Sequence, residues 1–391
     1  MAAGEVFVIA DVNIVTPWGT LEEASLQVAD GKIIEIKSGQ IRAGGRIMHG
    51  RGRYLLPGCI DIHNDSIEKA LEPRPNTFFP QDLVILEMDR LLAVHGITTI
   101  FHSLSFAEGE IGVRSNRLAA EIIATIHRLA PALHLKTKAH ARFELTDSGA
   151  LPYLEELIKG QKIHLLSLMD HTPGQGQFRE LTSFKNYFGT VYQKPEDELE
   201  KIIQRKYSAQ KTLAATVDYI VSRCHSQGIP LASHDDDTAA KITWLQERHV
   251  VISEFPVNLE AAAAAKEKGL AVCLGTPNIL RGNSQGKNLS AREAIAAGCG
   301  DILCSDYAPM TMLHSVFALH RLGLLPLHAA VNMVSLNPAR AVGLAEQTGS
   351  IEAGKDADLI LVDLSREIPC LVKTWVKGRE VYTCLPDLSS H

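Results

Sequence analysis

The chain of 391 residues has no apolar run approaching the roughly 18 residues that a membrane-spanning helix requires, so no membrane partner is expected. It also lacks a C-x-x-C pair. Its seven cysteines (59, 224, 273, 299, 304, 370 and 384) are odd in number, so neither a disulfide framework nor a zinc knuckle is indicated, and reduced, mostly buried thiols are expected. Positive charge is scarce as well. A formal net charge of -6 argues against a nucleic-acid partner, which normally meets a basic patch. An anionic substrate remains open, because bound cations and a few focused Arg or Lys residues can invert the local field. No G-x-G-x-x-G follows the first strand-like run of the middle region, which removes the main support for a dinucleotide fold. The first residues carry Glu5 and no basic-then-apolar leader, so a cytoplasmic address is the expectation.

What is present has two textures. Residues 5–15 (EVFVIADVNIV) and 24–36 (ASLQVADGKIIEI) read as short strands, the second broken by the turn signal Asp30-Gly31. The C-terminus returns to the same pattern in GSIEAGKDADLILVDL and CLVKTWVKGREVYT. The two ends are therefore expected to meet as one composite β domain, residues 1–57 and 346–391. Between them, residues 58–345 alternate apolar strand-like runs (GCIDIH, ITTIFHSL, HLKTKAHARFEL, IHLLSLMDHT, IPLASHD, VVISEFP, AVCLGTP, DILCSDY) with amphipathic segments. That alternation predicts a (β/α)8 barrel, which typically takes about 250 residues.

In such barrels catalytic groups come from the C-terminal strand ends. Here His63 and Asp65 end the first strand, His102 the second, and His140, Arg142 and Glu144 the third or fourth. His171 closes SLMDHT, His234 closes PLASHD, Glu254 closes VVISEF and Asp306 closes ILCSD. Singly, each is a strand-end cap or turn former. Together they predict a metal site. Zn is the expected ion, although mixed His and carboxylate ligation fits Mn or Fe as well. Asp235-Asp236-Asp237 invites over-reading: Asp237 reads as a helix cap, with Asp235 kept as a candidate.

LLPGCIDIH, GSIEAGKDADLILVD and Asn337-Pro338-Ala339-Arg340 resemble the amidohydrolase superfamily. The resemblance implies a (β/α)8 barrel beside a β-sandwich made from both termini, with one or two divalent metals activating a water. Asp65 stands where most members have a second His. With HNDSIEKALEPRP, HARFELTD, MDHTPGQGQF, ASHDDDT, EFPVN and RGNSQGKN, it resembles a narrower subfamily, the hydrolase of the carbon-phosphorus lyase pathway. That likeness implies release of pyrophosphate from α-D-ribose 1-methylphosphonate 5-triphosphate, a phosphorylated sugar. The alternatives are a C–N hydrolase (deaminase or cyclic amidase) and a non-catalytic barrel scaffold.

On this reading His63, Asp65, His171 and His234 are metal ligands, and a carboxylate bridges two ions. Glu144 is chosen for the bridge over a carboxylated Lys138, because it lies nearer the strand's end. Asp306 takes the proton from the activated water and contacts the metal, and Glu68 partners a ligand. Arg142, Arg281 and Lys287 are expected to hold phosphate, Arg through its bidentate fork. His102 and His140 orient ligands or phosphates. A homodimer is expected on analogy with barrel relatives alone.

Overall fold

The computed structural model describes residues 6–41, 45–109, 114–178, 180–186, 189, 195–284 and 288–384. At the N-terminus lie β1 (Phe7–Thr16), β2 (Gly19–Ala29), β3 (Lys32–Ser38) and β4 (Arg46–Pro57). Then come β5 (Cys59–Asn64), β6 (Ile97–Phe106), β7 (Lys136–Glu144), β8 (Leu165–Met169), β9 (Leu231–His234), β10 (Ile252–Glu254), β11 (Ala271–Gly275) and β12 (Ile302–Cys304). The chain ends with β13 (Leu359–Asp363), β14 (Cys370–Val376) and β15 (Arg379–Thr383).

Strands from both ends form one seven-stranded sheet in the order β15-β14-β13-β4-β1-β2-β3. Its hairpins turn where the sequence signals. Asp30 and Gly31 have φ of 52° and 74°, and Lys377 and Gly378 of 48° and 70°, so both central residues are left-handed, as a type I′ turn requires. The sheet curls until β3 meets the segment before β13: the Ile33 N–H donates to Lys355 O (2.9 Å) and the Ala357 N–H to Gly31 O (2.8 Å). Ile9, Ile14, Leu26, Ile33, Leu359 and Trp375 share the core this encloses, giving a β-sandwich.

β5 to β12 run parallel in chain order and close as a barrel. Closure falls at the site itself, where the Asp306 N–H donates to His63 O and the Asp65 N–H to Asp306 O, both at 3.0 Å. Alternate strand residues divide between two cores. Ile60, Ile62, Phe101, Leu165, Ala232, Ile252, Cys273, Ile302 and Cys304 pack inside the barrel. Leu104, Phe143, Leu166, Leu168, Val272 and Leu303 face the helix layer.

The sandwich is joined closely to the barrel. A Cβ at Gly58, between β4 and β5, would lie 2.2 Å from Thr98 Cγ2, so only glycine fits there. Lys136 on β7 pairs with Asp356 (2.7 Å) and Asp358 of the C-terminal segment. After β8 the chain makes a helical insertion that includes Leu181–Asn186 and Glu196–Ala209, with Phe178, Phe184, Leu199, Ile202 and Ile203 as its own apolar cluster. Among the described residues no helix is long and apolar enough to cross a membrane.

Candidate metal centre

Strand parity aims β7 at the site. Ala139, Ala141 and Phe143 face the helices, so His140, Arg142 and Glu144 point inward. On β5 the pairing with β6 slips between Asp61 and Asn64, and this bulge lets His63 point into the barrel after the inward Ile60 and Ile62. Asp235 (φ 52°), Phe255 (φ 52°) and Asp306 (φ 57°) end their strands in the left-handed region. Such conformations are costly for residues with a Cβ and cluster at functional sites.

Two buried carboxylates organise three histidines. Glu254 Oε1 meets His63 Nδ1 at 2.9 Å, while Oε2 accepts from Ser167 Oγ (2.7 Å) and lies 3.4 Å from His234 Nδ1. Glu144 Oε2 meets His171 Nδ1 (3.0 Å) and the His171 backbone N–H (3.3 Å). With Nδ1 engaged, the Nε2 atoms are the ones left for other partners. His171 Nε2 and His234 Nε2 lie 3.7 and 3.8 Å from Asp235 Oδ2, and the three residues each offer a ligand atom within 4.8 Å of the other two. Arg142 lies alongside, with one guanidinium nitrogen 3.6 Å from Asp65 Oδ2 and another 3.4 Å from His234 Nε2.

The unpaired atoms test whether a cation fits. His171 Nε2, His140 Nε2, Asp65 Oδ1 and Asp235 Oδ2 are buried without hydrogen-bond partners, as are Nε and one terminal nitrogen of Arg142. Buried polar atoms are normally satisfied. Unpaired nitrogen and carboxylate ligands at one end of the barrel fit a divalent ion, and the two guanidinium nitrogens of Arg142 that lack hydrogen-bond partners fit an anion.

Several expectations change. Glu144 is not free to bridge ions, because Oε1 also accepts from Thr146 Oγ1 (2.6 Å) and Lys206 Nζ (2.9 Å). All four of its lone-pair positions are taken. Lys138 is excluded by position: at six residues and roughly 3.3 Å per residue it lies about 20 Å down the strand from Glu144. It lines a cavity at the opposite end of the barrel with Phe101 and His164. His102 is not at a strand end, since β6 continues to Phe106, and it points away from the inward-facing Phe101 and Ser103. His140 is in the site but beneath it, with Nδ1 3.0 Å from both Ser103 Oγ and Ile62 O.

Glu68 partners no ligand; it accepts from the Ser105 N–H (3.0 Å) and Arg114 Nε (2.9 Å). Asp237 does not cap the helix Ala239–Gln246. Thr238 does, while Asp237 accepts from the Gly176 N–H at 2.8 Å. Arg281 is exposed at the end of the helix Thr276–Arg281, in the connection that follows β11, and Lys287 lies outside the described residues. The sequence placed Glu254 among the strand-end groups that predict a metal site but gave it no separate role. It also missed Asp61, whose carboxylate accepts from the Ser305 N–H (3.0 Å) and Oγ (2.5 Å) and so anchors the residue before Asp306.

Burial and charge pull these groups apart. Burial alone would depress His171, but the Asp235 and Glu144 carboxylates beside it outweigh it and raise the ring to about 9. Burial likewise opposes charge on His63, and Glu254 overcomes it, so that ring is also raised. His140 is pushed down to about 3 by burial. Glu254 and Glu144 stay well below the usual carboxylate range despite burial, through His63 and Lys206 respectively. Burial, reinforced by the Asp65 carboxylate, lifts Asp306 to about 7. A bound cation would reverse that shift, since an opposite charge favours the carboxylate.

Comparison with known proteins agrees with this architecture. The amidohydrolase family profile matches residues 95–385. The chain is 32% identical over 363 residues to the alpha-D-ribose 1-methylphosphonate 5-triphosphate diphosphatase of Escherichia coli (strain K12), covering 92% of this chain and 96% of that protein. It is 23% identical over 381 residues to an imidazolonepropionase of Alkaliphilus oremlandii, covering 88% and 85%. Among solved structures, the N-acetylglucosamine-6-phosphate deacetylase of Pasteurella multocida superposes with a TM-score of 0.65 at 14% identity, over 96% of this chain and 99% of that one. At that identity the likeness speaks for the fold. With the barrel, the composite sandwich and the cluster of ligands at the strand ends, these matches place the chain in the amidohydrolase family.

Proposed function

We propose that this chain is a metal-dependent hydrolase that releases pyrophosphate from α-D-ribose 1-methylphosphonate 5-triphosphate, leaving the 5-phosphate. The observation that carries the reading is the pairing of unsatisfied metal-type ligands with two unsatisfied guanidinium nitrogens of Arg142 at the same buried strand ends. The similarity to the Escherichia coli diphosphatase supplies the substrate.

His63, His171, His234, Asp65, Asp235 and Asp306 are the residues that would hold the metal, a His and carboxylate mixture that suits zinc, manganese or iron. A divalent ion bound there lowers the pKa of water and stabilises charge on phosphoryl oxygens. The chain's own groups do the rest. Glu254 and Glu144 hold Nδ1 of the three histidines and so leave Nε2 for the ion. Asp306 accepts a proton from the attacking water as oxygen adds to the α-phosphorus and the bond to the departing pyrophosphate breaks. Arg142 places its fork against the phosphate oxygens as their charge grows.

Incubating metal-loaded protein with this triphosphate and following pyrophosphate tests the reading. Turnover of cyclic amides without pyrophosphate release would overturn it in favour of C–N bond hydrolysis.

A further inference from the structure

The helical insertion after β8 attaches to the barrel in an unusual way. Its apolar side chains gather in their own cluster, Phe178, Phe184, Leu199, Ile202 and Ile203, apart from the main core. The last turn of the helix Glu196–Ala209 and the residue after it instead reach the barrel through polar contacts. Arg205 donates to Glu108 O (3.3 Å), Tyr207 Oη to Pro173 O (3.4 Å), and Gln210 to Asp170 Oδ2 (3.0 Å) and Thr172 Oγ1 (2.9 Å). Between them Lys206, completely buried, pairs with Glu144 Oε1 at 2.9 Å and donates to Thr146 Oγ1 at 3.2 Å. The insertion thus grips the segments after β6, β7 and β8 at once.

A fully buried ion pair is an expensive way to fasten a helix, and an apolar pair of similar size would often stabilise as well or better. Its position points to another role. From Lys206 the contacts run to Glu144 Oε1, through the same carboxylate from Oε2 to His171 Nδ1, and so to His171 Nε2, which faces Asp235 Oδ2 at 3.7 Å. We propose that Lys206 is a positioning residue that couples the seating of this insertion to the orientation of His171, acting through Glu144. The inference rests on the metal reading of the site. Without the ammonium, the Glu144 carboxylate loses its charged partner, and His171 loses the rigid anchor that aims Nε2. The coupling is reciprocal: an ion that needs His171 in place also favours the seated insertion.

Three measurements test this, none relying on turnover. Zinc affinity, read by competition with a chromophoric chelator, should fall roughly 10- to 100-fold in Lys206→Met, the usual range when a ligand's supporting partner is removed. Lys206→Arg should recover most of it, and the visible spectrum of the cobalt-substituted protein should shift in Lys206→Met and return in Lys206→Arg. Independently of any variant's folding, zinc should slow amide hydrogen exchange across residues 196–209 of the wild type. Unchanged affinity and cobalt spectrum in a folded Lys206→Met protein, or exchange at 196–209 indifferent to zinc, would overturn the coupling. Failure of the wild type to bind zinc, cobalt or manganese at all would instead strike the metal reading itself.

Discussion

At the scale of single residues, Glu254 serves two histidines with one carboxylate, meeting His63 through Oε1 and His234 through Oε2. Replacing it by Gln keeps the shape but removes the charge that favours Nδ1–H on both rings. Zinc affinity of Glu254→Gln should fall about 10- to 100-fold with the far-ultraviolet circular dichroism unchanged, as chelator competition would show. Asp306→Asn should abolish turnover while metal content, read by elemental analysis of the purified protein, stays near normal. Near-wild-type rates would show that the proton goes elsewhere. His63, His171, His234 and Asp306 were legible in the sequence because each closes an apolar run. Glu254 closes one too, yet spacing could not tell a ligand from the group that holds ligands. His102 misled for a simpler reason: one step of strand alternation separates it from Ser103, which faces the site.

At the scale of elements, the opposite end of the barrel carries a test of its own. His164, just before β8, stacks on His127 with ring centroids 5.7 Å apart, and its Nδ1 accepts from the Ala139 N–H at 3.2 Å. Burial, with Lys138 nearby, pushes it down to about 3. The sign follows from linkage. Below the ordinary histidine value of about 6.5 the unfolded chain takes up a proton that the folded ring refuses, so stability is intact above that pH and falls as pH drops towards 3. Denaturant unfolding of metal-free protein between pH 7 and 4 should therefore show a shallower loss for His164→Gln than for the wild type. Equal slopes would show that His164 does not contribute. Strands and hairpins were readable from alternation and from Asp30-Gly31 and Lys377-Gly378. The helical insertion was readable only as helix, because its docking depends on a buried Lys206–Glu144 pair between residues 62 positions apart, which no local pattern announces.

At the scale of the whole molecule, the sandwich and barrel share more than a covalent junction. Lys136 of the barrel meets Asp356 and Asp358 of the returning chain, and the Thr374 hydroxyl donates to Ala93 O at 2.9 Å. Lys136→Met leaves Asp358, almost fully buried, without its cation. It should cost on the order of 3 kcal/mol in denaturant unfolding, as for other buried pairs broken on one side. A loss under about 0.5 kcal/mol, the level of an ordinary surface change, would show that the two parts are fastened elsewhere. The architecture itself was plain in the sequence, since eight apolar runs alternating with helices and two β-rich ends leave few other arrangements. What the sequence withheld was which oxygens and nitrogens remain unpaired once the barrel closes, and the chemistry turns on those.

The most direct measurement is the stoichiometry of pyrophosphate formed when zinc-loaded protein turns over α-D-ribose 1-methylphosphonate 5-triphosphate, beside the same protein stripped by a chelator. One pyrophosphate per 5-phosphate formed, abolished by stripping and restored by zinc, is the expected result. Release of orthophosphate alone, or a rate indifferent to stripping, would contradict it.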